Sequence, residues 1–253
     1  MKLSIITPSF NQGRYIERTV RSVLEQQGDF ELEHLVIDGG STDDTLAILR
    51  RYEPRLRWIS ERDGGQSDAL NKGFRMATGE VLGWLNSDDT YQPGALARVA
   101  EEYRRSSFEW CFGHCGIIDE EDRPIREFIT RYKVAQSRRY SYRRLLRRDF
   151  ISQPSAFFSA AAYRATGEIS RDLMYSMDYD YWLRLGKQWE PHFIDAFLAN
   201  FRWHTQSKNG AAYRKAAWET FQTARRHATA GQFTDLALHL GHCGALNVLY
   251  RLI

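Results

Sequence analysis

An apolar run that ends in two adjacent carboxylates is the part of this sequence with the clearest chemistry. The run from Val81 to Leu85 leads directly into Asn86, Ser87, Asp88 and Asp89. This pattern predicts a buried strand whose carboxyl end presents acids at the edge where open α/β sheets bind ligands. Two carboxylates held close together repel unless a cation, a proton or a hydrogen-bond donor accompanies them. The sequence therefore indicates either a Mg²⁺ or Mn²⁺ site that serves nucleotide phosphates, or an Asx-rich turn that caps the next helix.

Two further residues with possible chemical roles lie far along the chain. The segment from Met177 to Leu185 has the apolar spacing of a helix, with Asp178 at or near its N-terminus. That position favours an ionised carboxylate, which can accept a proton, although a plain helix cap would have the same pattern. His204 follows a predicted edge strand, Pro191 to Trp203. It is either a hydrogen-bonded loop histidine or a nitrogen ligand to the same metal.

The first hundred residues alternate between strands and helices and would position these groups. Strands are predicted around residues 3–8, 34–37, 56–59 and 81–85, and polar loops follow them at Thr7–Gly13, Asp38–Ser41, Asp63–Gln66 and Asn86–Asp89. Such alternation predicts a mainly parallel sheet with right-handed crossovers and a nucleotide pocket at one edge. Ser41 and Asp44 are predicted to form a capping box. Neither the dinucleotide-binding nor the P-loop fingerprint is present.

The pattern changes after residue 110. Trp110–Ile118 and Ile125–Thr130 predict a hairpin around Glu120–Pro124. The tail from about Ala211 to Ile253 is helical in character. Its apolar side must pack on the catalytic core, a second subunit or a membrane surface, and it comprises Leu236, Leu240, Leu246, Leu249 and Ile253.

A basic segment, Arg131 to Arg148, contains no acidic residue. One interpretation is a solvated helix face. The other is a surface that contacts anionic lipid or a pyrophosphate-bearing acceptor through Arg143, Arg144, Arg147 and Arg148. Nucleic-acid binding is not expected, because the net charge of the chain is only +3.

The bulk composition is that of a globular protein with one compact core and an appendage. The chain has 253 residues, of which 43% are hydrophobic and 26% are charged. Its three cysteines form an odd, sparse set, which favours a reducing cytoplasm. We expect no secretory segment, and no apolar stretch approaches the ~20 residues of a membrane span. The predicted location is the cytoplasm, with association at the inner face of the membrane as an option.

Taken together and in order, these motifs resemble the family 2 glycosyltransferases, which are inverting enzymes with the GT-A fold. The resemblance extends from the start of the chain to about Ser207. The segments that carry it are Ser4–Asn11, Val36–Asp43, Asn71–Gly73 with Ala77–Gly79, Leu85–Asp89, Met177–Leu185, and His204 with Ser207.

The resemblance implies a role for each matching position. Asp38 would bind the base, usually uracil, Asp88 the metal directly, and Asp178 would be the general base. His204 would complete the metal or diphosphate site. The remaining nucleotide-sugar positions would be Thr7, Pro8, Ser9, Asp63, Lys72, Asn86 and Ser87. The chain departs from the family at Asn86, where an Asp is common, and at Met177, where many relatives carry an acid.

The implied fold is α/β: a mostly parallel, Rossmann-like central sheet flanked by helices, with a small antiparallel hairpin and a helical C-terminal tail. Residues 1–207 would form the catalytic domain, with a nucleotide-sugar and metal half (1–110) and an acceptor half (111–207). Residues 208–253 would be a helical extension, through which a homodimer could form.

The implied activity is transfer of a sugar from a UDP-sugar to an acceptor hydroxyl with inversion, dependent on Mn²⁺ or Mg²⁺. The acceptor would be a saccharide or lipid-linked saccharide in cell-surface polysaccharide or glycolipid assembly. Two alternatives remain. A nucleotidyltransferase would need a basic triphosphate loop after the first strand, which Thr7–Asn11 lacks. The other is an inactive sugar-nucleotide-binding module.

Overall fold

A mixed sheet organises the part of the chain that the structure describes. The computed structural model describes residues 1–204 and 213–252, and the side chains of residues 213 and 245–252 are not described. Within these ranges the strands are β1 (Lys2–Ser9), β2 (Glu31–Asp38), β3 (Arg57–Ser60), β4 (Val81–Trp84), β5 (Thr90–Tyr91), β6 (Trp110–Ile118), β7 (Ala156–Ser159) and β8 (His192–Arg202).

Helices cover both faces of this sheet. They are α1 (Ile16–Leu24), α2 (Thr45–Arg50), α3 (Gln66–Met76), α4 (Ala95–Ser106), α5 (Glu127–Ser137), α6 (Tyr142–Arg147), α7 (Ala160–Thr166), α8 (Met177–Gln188), α9 (Tyr213–His227) and α10 (Phe233–Leu252). A 3-10 turn, Gln153–Ser155, precedes β7.

The strand order is β3-β2-β1-β4-β7-β6-β8-β5. Strands β3, β2, β1 and β4 run parallel, as do β6 and β8, whereas β7 is antiparallel to both β4 and β6. This confirms the predicted α/β class and its mainly parallel first half. Because the first four strands are parallel, their carboxyl ends lie at one edge, where Ser9 pairs with Asp38.

Each face of the sheet buries its own apolar cluster. One contains Trp84, Trp110 and Trp182 beneath α3 and α8, and the other contains Val81 and Leu96 beneath α4. Helix α3 lies directly on β1, because a Cβ at Gly73 would stand 2.5 Å from Cγ2 of Ile6. The residues that give the sequence its apolar periodicity therefore form the buried sides of the helices that pack on the sheet.

Three local predictions are corrected. The segment predicted as the second hairpin strand, Ile125–Thr130, is largely helical from Glu127, and only a bridge between Ile118 and Pro124 remains of the pairing. The predicted capping box does not form, because the Ser41 hydroxyl donates to Asp38 and the helix starts later, at Thr45. Strand β8 was predicted at a sheet edge, but it lies between β6 and β5.

The C-terminal tail is helical, as predicted, within residues 213–252. The predicted domain boundary at 207/208, together with Ser207 and Ile253, lies outside the described residues. The side chains of Leu246 and Leu249 are likewise not described, so that part of the predicted apolar side is untested.

Candidate active site

Asp88 and His204 lie in direct contact although 116 residues separate them. The distance from His204 Nε2 to Asp88 Oδ2 is 3.0 Å. Asp88 follows β4 and His204 follows β8, so the turn after one strand meets the segment after the other. The His204 ring packs on Tyr15, just before α1, with 4.9 Å between ring centroids. The two residues predicted to be metal ligands therefore converge.

Arg202, which the sequence analysis did not single out, holds this turn in place. Its side chain is fully buried. Nε donates to the carbonyl oxygen of Asp88 at 2.8 Å, and a terminal nitrogen donates to the carbonyl oxygen of Asp119 at 2.6 Å. Its guanidinium also pairs with Asp122. The only hint in the sequence is an arginine two residues before His204, at the end of an apolar strand.

Asp89 is the buried member of the acidic pair. Burial, followed by the charge of Asp88, raises the pKa of Asp89 well above its ordinary value. One of its oxygens accepts the backbone N–H of Arg202 at 2.8 Å. The two adjacent carboxylates are therefore separated into a partly exposed one, Asp88, and an internal one whose neutral form is favoured.

The side-chain amide of Asn86 forms hydrogen bonds with four neighbouring side chains. Its oxygen accepts from the Gln66 side chain and from the Trp84 indole, both at 2.7 Å. Its nitrogen donates to Asp89 Oδ2 at 3.2 Å and to Gln153 Oε1 at 3.0 Å. An aspartate here would lose both donations. The departure from the common Asp therefore has a structural reason, because this chain requires a donor at residue 86.

Asp38 anchors the loop after β2. It is fully buried, and it accepts the backbone N–H groups of Gly40 and Ser41 at 3.0 and 2.8 Å, together with the Ser60 hydroxyl at 2.7 Å. The Ser41 hydroxyl donates to Asp38 and in turn accepts the backbone N–H of Asn11 at 2.7 Å. Asp38 thus fixes the β2 loop against the loop that follows β1.

The predicted base-lining residues on β1 differ in their surroundings. Thr7 is buried, and its hydroxyl lies 3.0 Å from Nε2 of His34, whose pKa is lowered to about 3 by burial. Pro8 lies within the strand, paired with Ile37. The Ser9 hydroxyl is buried and has no hydrogen-bond partner among the described residues. Among the described residues of β1, Ser9 therefore has a buried hydroxyl whose hydrogen bond the chain itself does not supply.

Two other predicted nucleotide residues lie on the loop after β3 and on the helix that follows it. Asp63 accepts the backbone N–H of Gly65 at 2.8 Å, and a Cβ on Gly39 would meet its carboxylate at 3.0 Å. The Asp63 carboxylate therefore adjoins the β2 loop. Lys72, on α3, pairs with Glu61. Ser87 is buried within the β4 turn.

Asp178 is the second residue of α8, near its N-terminus, as predicted. It accepts the backbone N–H of Tyr179 at 2.8 Å. The preceding residue, Met177, accepts the Ser67 hydroxyl at 3.1 Å through its sulfur. Ser67 follows Gln66, which donates to Asn86. This chain of contacts ties the N-terminus of α8 to the carboxyl end of β4.

Asp149, which the sequence analysis missed, is a second acid near Asp178. Burial, followed by the charge of Asp178, raises the pKa of Asp149 to about 7, while Lys133 opposes the shift. Its Oδ1 is buried and has no hydrogen-bond partner among the described residues. The sequence signal was slight: a single acid that ends a long basic run and precedes Phe150 and Ile151.

The four arginines predicted to form an acceptor or membrane surface already have partners within the chain. Arg143 and Arg147 donate to the two oxygens of Asp235 on α10 at 2.9 and 2.6 Å. Arg144 donates to Gln136 at 2.7 Å, and Arg148 to the Tyr132 hydroxyl. The first two arginines therefore attach a C-terminal helix to α6.

The residues at the β4 turn fit a divalent cation that is shared with a ligand. No group of three or more His, Cys, Asp or Glu side chains in the described part of the chain is arranged to hold a metal alone. Mg²⁺ commonly uses one or two protein ligands plus substrate phosphates, at ~2.1 Å, so adjacent ligand atoms lie about 3 Å apart. Asp88 Oδ2 and His204 Nε2 lie 3.0 Å apart, a distance that suits a hydrogen bond between them as well as two ligand atoms of one cation.

Comparison with known proteins finds relatives among the glycosyltransferases. Residues 4–168 match the family model described as glycosyl transferase family 2. An uncharacterized glycosyltransferase of Mycobacterium tuberculosis is 32% identical over 206 residues, which cover 79% of this chain and 74% of that protein. An uncharacterized glycosyltransferase of Nostoc sp. is 36% identical over 134 residues, covering 51% of this chain, and the chain spans only 41% of its length.

Solved structures share the fold at low sequence identity. TarS residues 1–349 from S. aureus, in complex with UDP-GlcNAc, has a TM-score of 0.72 and 18% identity, covering 95% of this chain and 72% of that one. The mannosyltransferase PcManGT from Pyrobaculum calidifontis, in complex with GDP-Man and Mn²⁺, has a TM-score of 0.66 and 20% identity. The match covers 96% of this chain and 75% of that one. Both confirm the predicted architecture.

Proposed function

The chain belongs to glycosyl transferase family 2, and from this premise we propose that it transfers a sugar from a UDP-sugar to an acceptor hydroxyl with inversion. The observation that carries the proposal is the contact between Asp88 and His204 beyond β4. The first turn of α8, which contains Asp178, is connected to the same region through the contacts Met177–Ser67 and Gln66–Asn86. The loops after β1, β2 and β4 meet at the carboxyl edge of the sheet, which is where ligands bind in open α/β sheets.

We assign the donor nucleotide to the first half of the site. The Asp38 loop and the Ser9 hydroxyl would contact the base and ribose, and UDP is favoured by the resemblance of Asp38 to the family's base-binding acid. Asp88 and His204 would hold Mn²⁺ or Mg²⁺. When bound, the metal would neutralise charge that develops on the departing diphosphate. Arg202 and Asn86 would keep the Asp88 turn in the geometry that this requires.

We assign the acceptor to the second half of the site. Asp178 would take the proton of the acceptor hydroxyl as that oxygen forms its bond to the anomeric carbon and the bond to the diphosphate breaks. Asp149 would be a positioning residue, because its nearby carboxyl changes the electrostatic environment of Asp178. Attack from the side opposite the leaving group would invert the anomeric centre.

The acceptor we propose is a saccharide or a lipid-linked saccharide, in the assembly of cell-surface polysaccharide or glycolipid. No helix among the described residues is long and apolar enough to cross a membrane.

The test is a thermal-shift screen of UDP, GDP and their sugar conjugates with and without Mn²⁺, followed by analysis of the released product. We expect stabilisation by UDP that depends on Mn²⁺, and release of UDP rather than pyrophosphate. Asp88→Ala should remove the metal-dependent part of the shift. Release of pyrophosphate would favour a nucleotidyltransferase, and binding without any turnover, including donor hydrolysis, would favour an inactive binding module.

A further inference from the structure

Helix α10 presents apolar residues to solvent and buries two of its polar residues. Between Phe233 and Gly244 its exposed positions are occupied by Phe, Thr, Ala, Leu, Leu, Gly and Gly, and none of these is charged. Phe233 is 72% exposed, and Leu238 and Leu240 are 49% exposed. The buried positions include Asp235 and His239. Because the outer face of a helix on a soluble domain is usually polar, this inversion indicates that the outer face contacts something apolar.

Helix α9, packed beside α10, adds cations and a tryptophan to this surface. Its exposed charged residues are Arg214, Lys215, Arg225 and Arg226. Trp218 lies between the two pairs and is 58% exposed. Cys243 on α10 contacts the carbonyl oxygen of Ala217. Trp218 is the next residue along α9 and therefore lies close to α10.

The acidic residues of this helical pair are turned inward. Asp235 is fully buried between Arg143 and Arg147. Glu219 accepts the backbone N–H groups of Tyr175 and Ser176 at 2.6 and 2.8 Å, just before α8. In the described part of α9 and α10, the outer surface therefore has positive charge and no exposed acid to balance it.

We propose that this C-terminal helical surface, made of Arg214, Lys215, Trp218, Arg225, Arg226, Phe233, Leu238 and Leu240, binds the surface of an anionic membrane. Exposed aromatic and aliphatic side chains beside Lys and Arg are the features of an interfacial helix. A second copy of the chain fits poorly, because symmetric pairing would bring eight cations together with no exposed acid to oppose them.

This inference assigns a different role to the basic segment. Arg143 and Arg147 form a clasp with Asp235 that holds α10 against α6. The clasp orients α10 so that Phe233 and Leu240, seven residues apart on one side of the helix, point outward. The consequence for substrate, that the acceptor is lipid-linked and lies at the membrane, rests on the proposed function, whereas membrane binding itself does not.

The experiment is flotation of the full chain with vesicles of phosphatidylcholine alone or with added phosphatidylglycerol. We expect flotation only with the anionic vesicles, reduced at high salt. Arg225→Gln/Arg226→Gln should reduce partitioning about 25-fold, since each basic residue near the surface contributes roughly fivefold. The matched control is Arg104→Gln/Arg105→Gln, an adjacent exposed pair on α4 under the opposite face of the sheet, which should float like the unaltered chain.

A second pair of variants tests the apolar part of the surface. Phe233→Gln/Leu240→Gln should also reduce partitioning strongly, whereas Phe197→Gln, on β8 and similarly exposed at 48%, should not. UDP release from the donor without vesicles is measured in parallel and should be unchanged in all variants. If the chain floats but releases no UDP, the proposed function fails and the membrane surface stands.

Three results would overturn the inference. The first is no flotation of the unaltered chain, and the second is equal partitioning of the unaltered chain and the α9 and α10 variants. The third is a dimer in solution that Phe233→Gln/Leu240→Gln converts to monomer, because the outer face of α10 would then be covered by a second copy.

Discussion

The acids on the two sides of the site differ in how fully their oxygens are hydrogen-bonded. On the nucleotide side, Asp38 accepts from backbone N–H groups and hydroxyls. Asp43 also accepts several hydrogen bonds. Burial opposes the ionisation of Asp43, but donation by Thr45 and Gly13 outweighs burial and lowers the pKa of Asp43. On the acceptor side, Asp149 has a buried oxygen without a partner among the described residues and a pKa raised to about 7.

This difference separates acids that hold loops from acids that can exchange protons. A carboxylate with several donors is stabilised in its ionised form and fixes the backbone around it. Asp149, whose pKa is raised to about 7, can change its protonation near neutral pH, where a general base must work. On the nucleotide side, Asp38 therefore serves to fix loop geometry, whereas on the acceptor side Asp149 can respond to pH.

Asp178→Asn has the largest expected effect and tests whether the acceptor side supplies the general base. We expect transfer to fall by about a thousandfold, because a positioned general base contributes roughly 10²–10⁴ to the rate. Affinity for UDP should stay within about twofold. Steady-state kinetics with calorimetry of UDP binding checks both. The matched control is Asp180→Asn on the same helix, which pairs with Arg184 and His227. Retained transfer in Asp178→Asn would refute the assignment.

Asp149→Asn tests the effect of the buried Asp149 carboxyl on the free energy of unfolding. The pKa of Asp149 is about 7 in the folded chain and about 3.9 when unfolded. Between these pH values the Asp149 carboxyl binds more protons in the folded chain than in the unfolded chain. The contribution of Asp149 to the free energy of unfolding therefore falls as pH rises from about 4 to 7. Above pH 7 the substitution should stabilise the chain by on the order of 4 kcal/mol, and near pH 4 by little.

Urea unfolding of both proteins at several pH values measures this effect. In Asp178→Asn, which lacks the neighbouring charge, the pH window of Asp149 should move to lower pH. A constant difference between the Asp149→Asn and unaltered proteins at all pH values would show that Asp149 does not titrate in this range.

Asp88→Ala tests the nucleotide side. We expect affinity for UDP in the presence of Mn²⁺ to fall roughly 50-fold, and affinity without metal to change little, because the carboxylate acts through the cation. Calorimetry with and without Mn²⁺ measures the two cases. Asp195→Ala, an exposed acid on β8, is the control and should have no effect. An equal loss with and without metal would contradict a metal-ligand role.

Asn86→Asp has the smallest expected effect and tests whether the two hydrogen bonds donated by Asn86 stabilise the nucleotide side. The new oxygen would oppose Asp89 and Gln153, which now accept hydrogen bonds from Asn86. We expect a loss of about 2 kcal/mol in the free energy of unfolding. Asn200→Asp is the control, because Asn200 donates to the Thr90 hydroxyl, which can reverse its role. Equal stability of Asn86→Asp and the unaltered chain would show that the donations are dispensable.

The nucleotide side was predictable from sequence because its elements alternate and each strand ends in a polar loop. Strand ends in a parallel sheet meet at one edge, so Asp38 and Asp88 could be placed together without coordinates. The family resemblance supplied Asp178 and His204, and the structure brings His204 to Asp88.

The acceptor side was less predictable because its contacts join segments far apart in the chain. The partners of Arg143 and Arg147 lie about ninety residues away, and no periodicity indicates them. Asp149 lies in an irregular segment between α6 and the 3-10 turn. The β-branched residues Ile125, Ile129 and Thr130 favoured a strand, but the segment forms α5 beside β6.

A crystal structure of the chain with UDP and Mn²⁺ tests the central claim most directly. The account predicts that anomalous density locates the metal between Asp88, His204 and the diphosphate. It also predicts the base beside the Asp38 and Ser9 loops, and the Asp178 carboxylate across a space that fits a hexose. A metal coordinated without Asp88, or an Asp178 carboxylate directed away from the diphosphate, would contradict it.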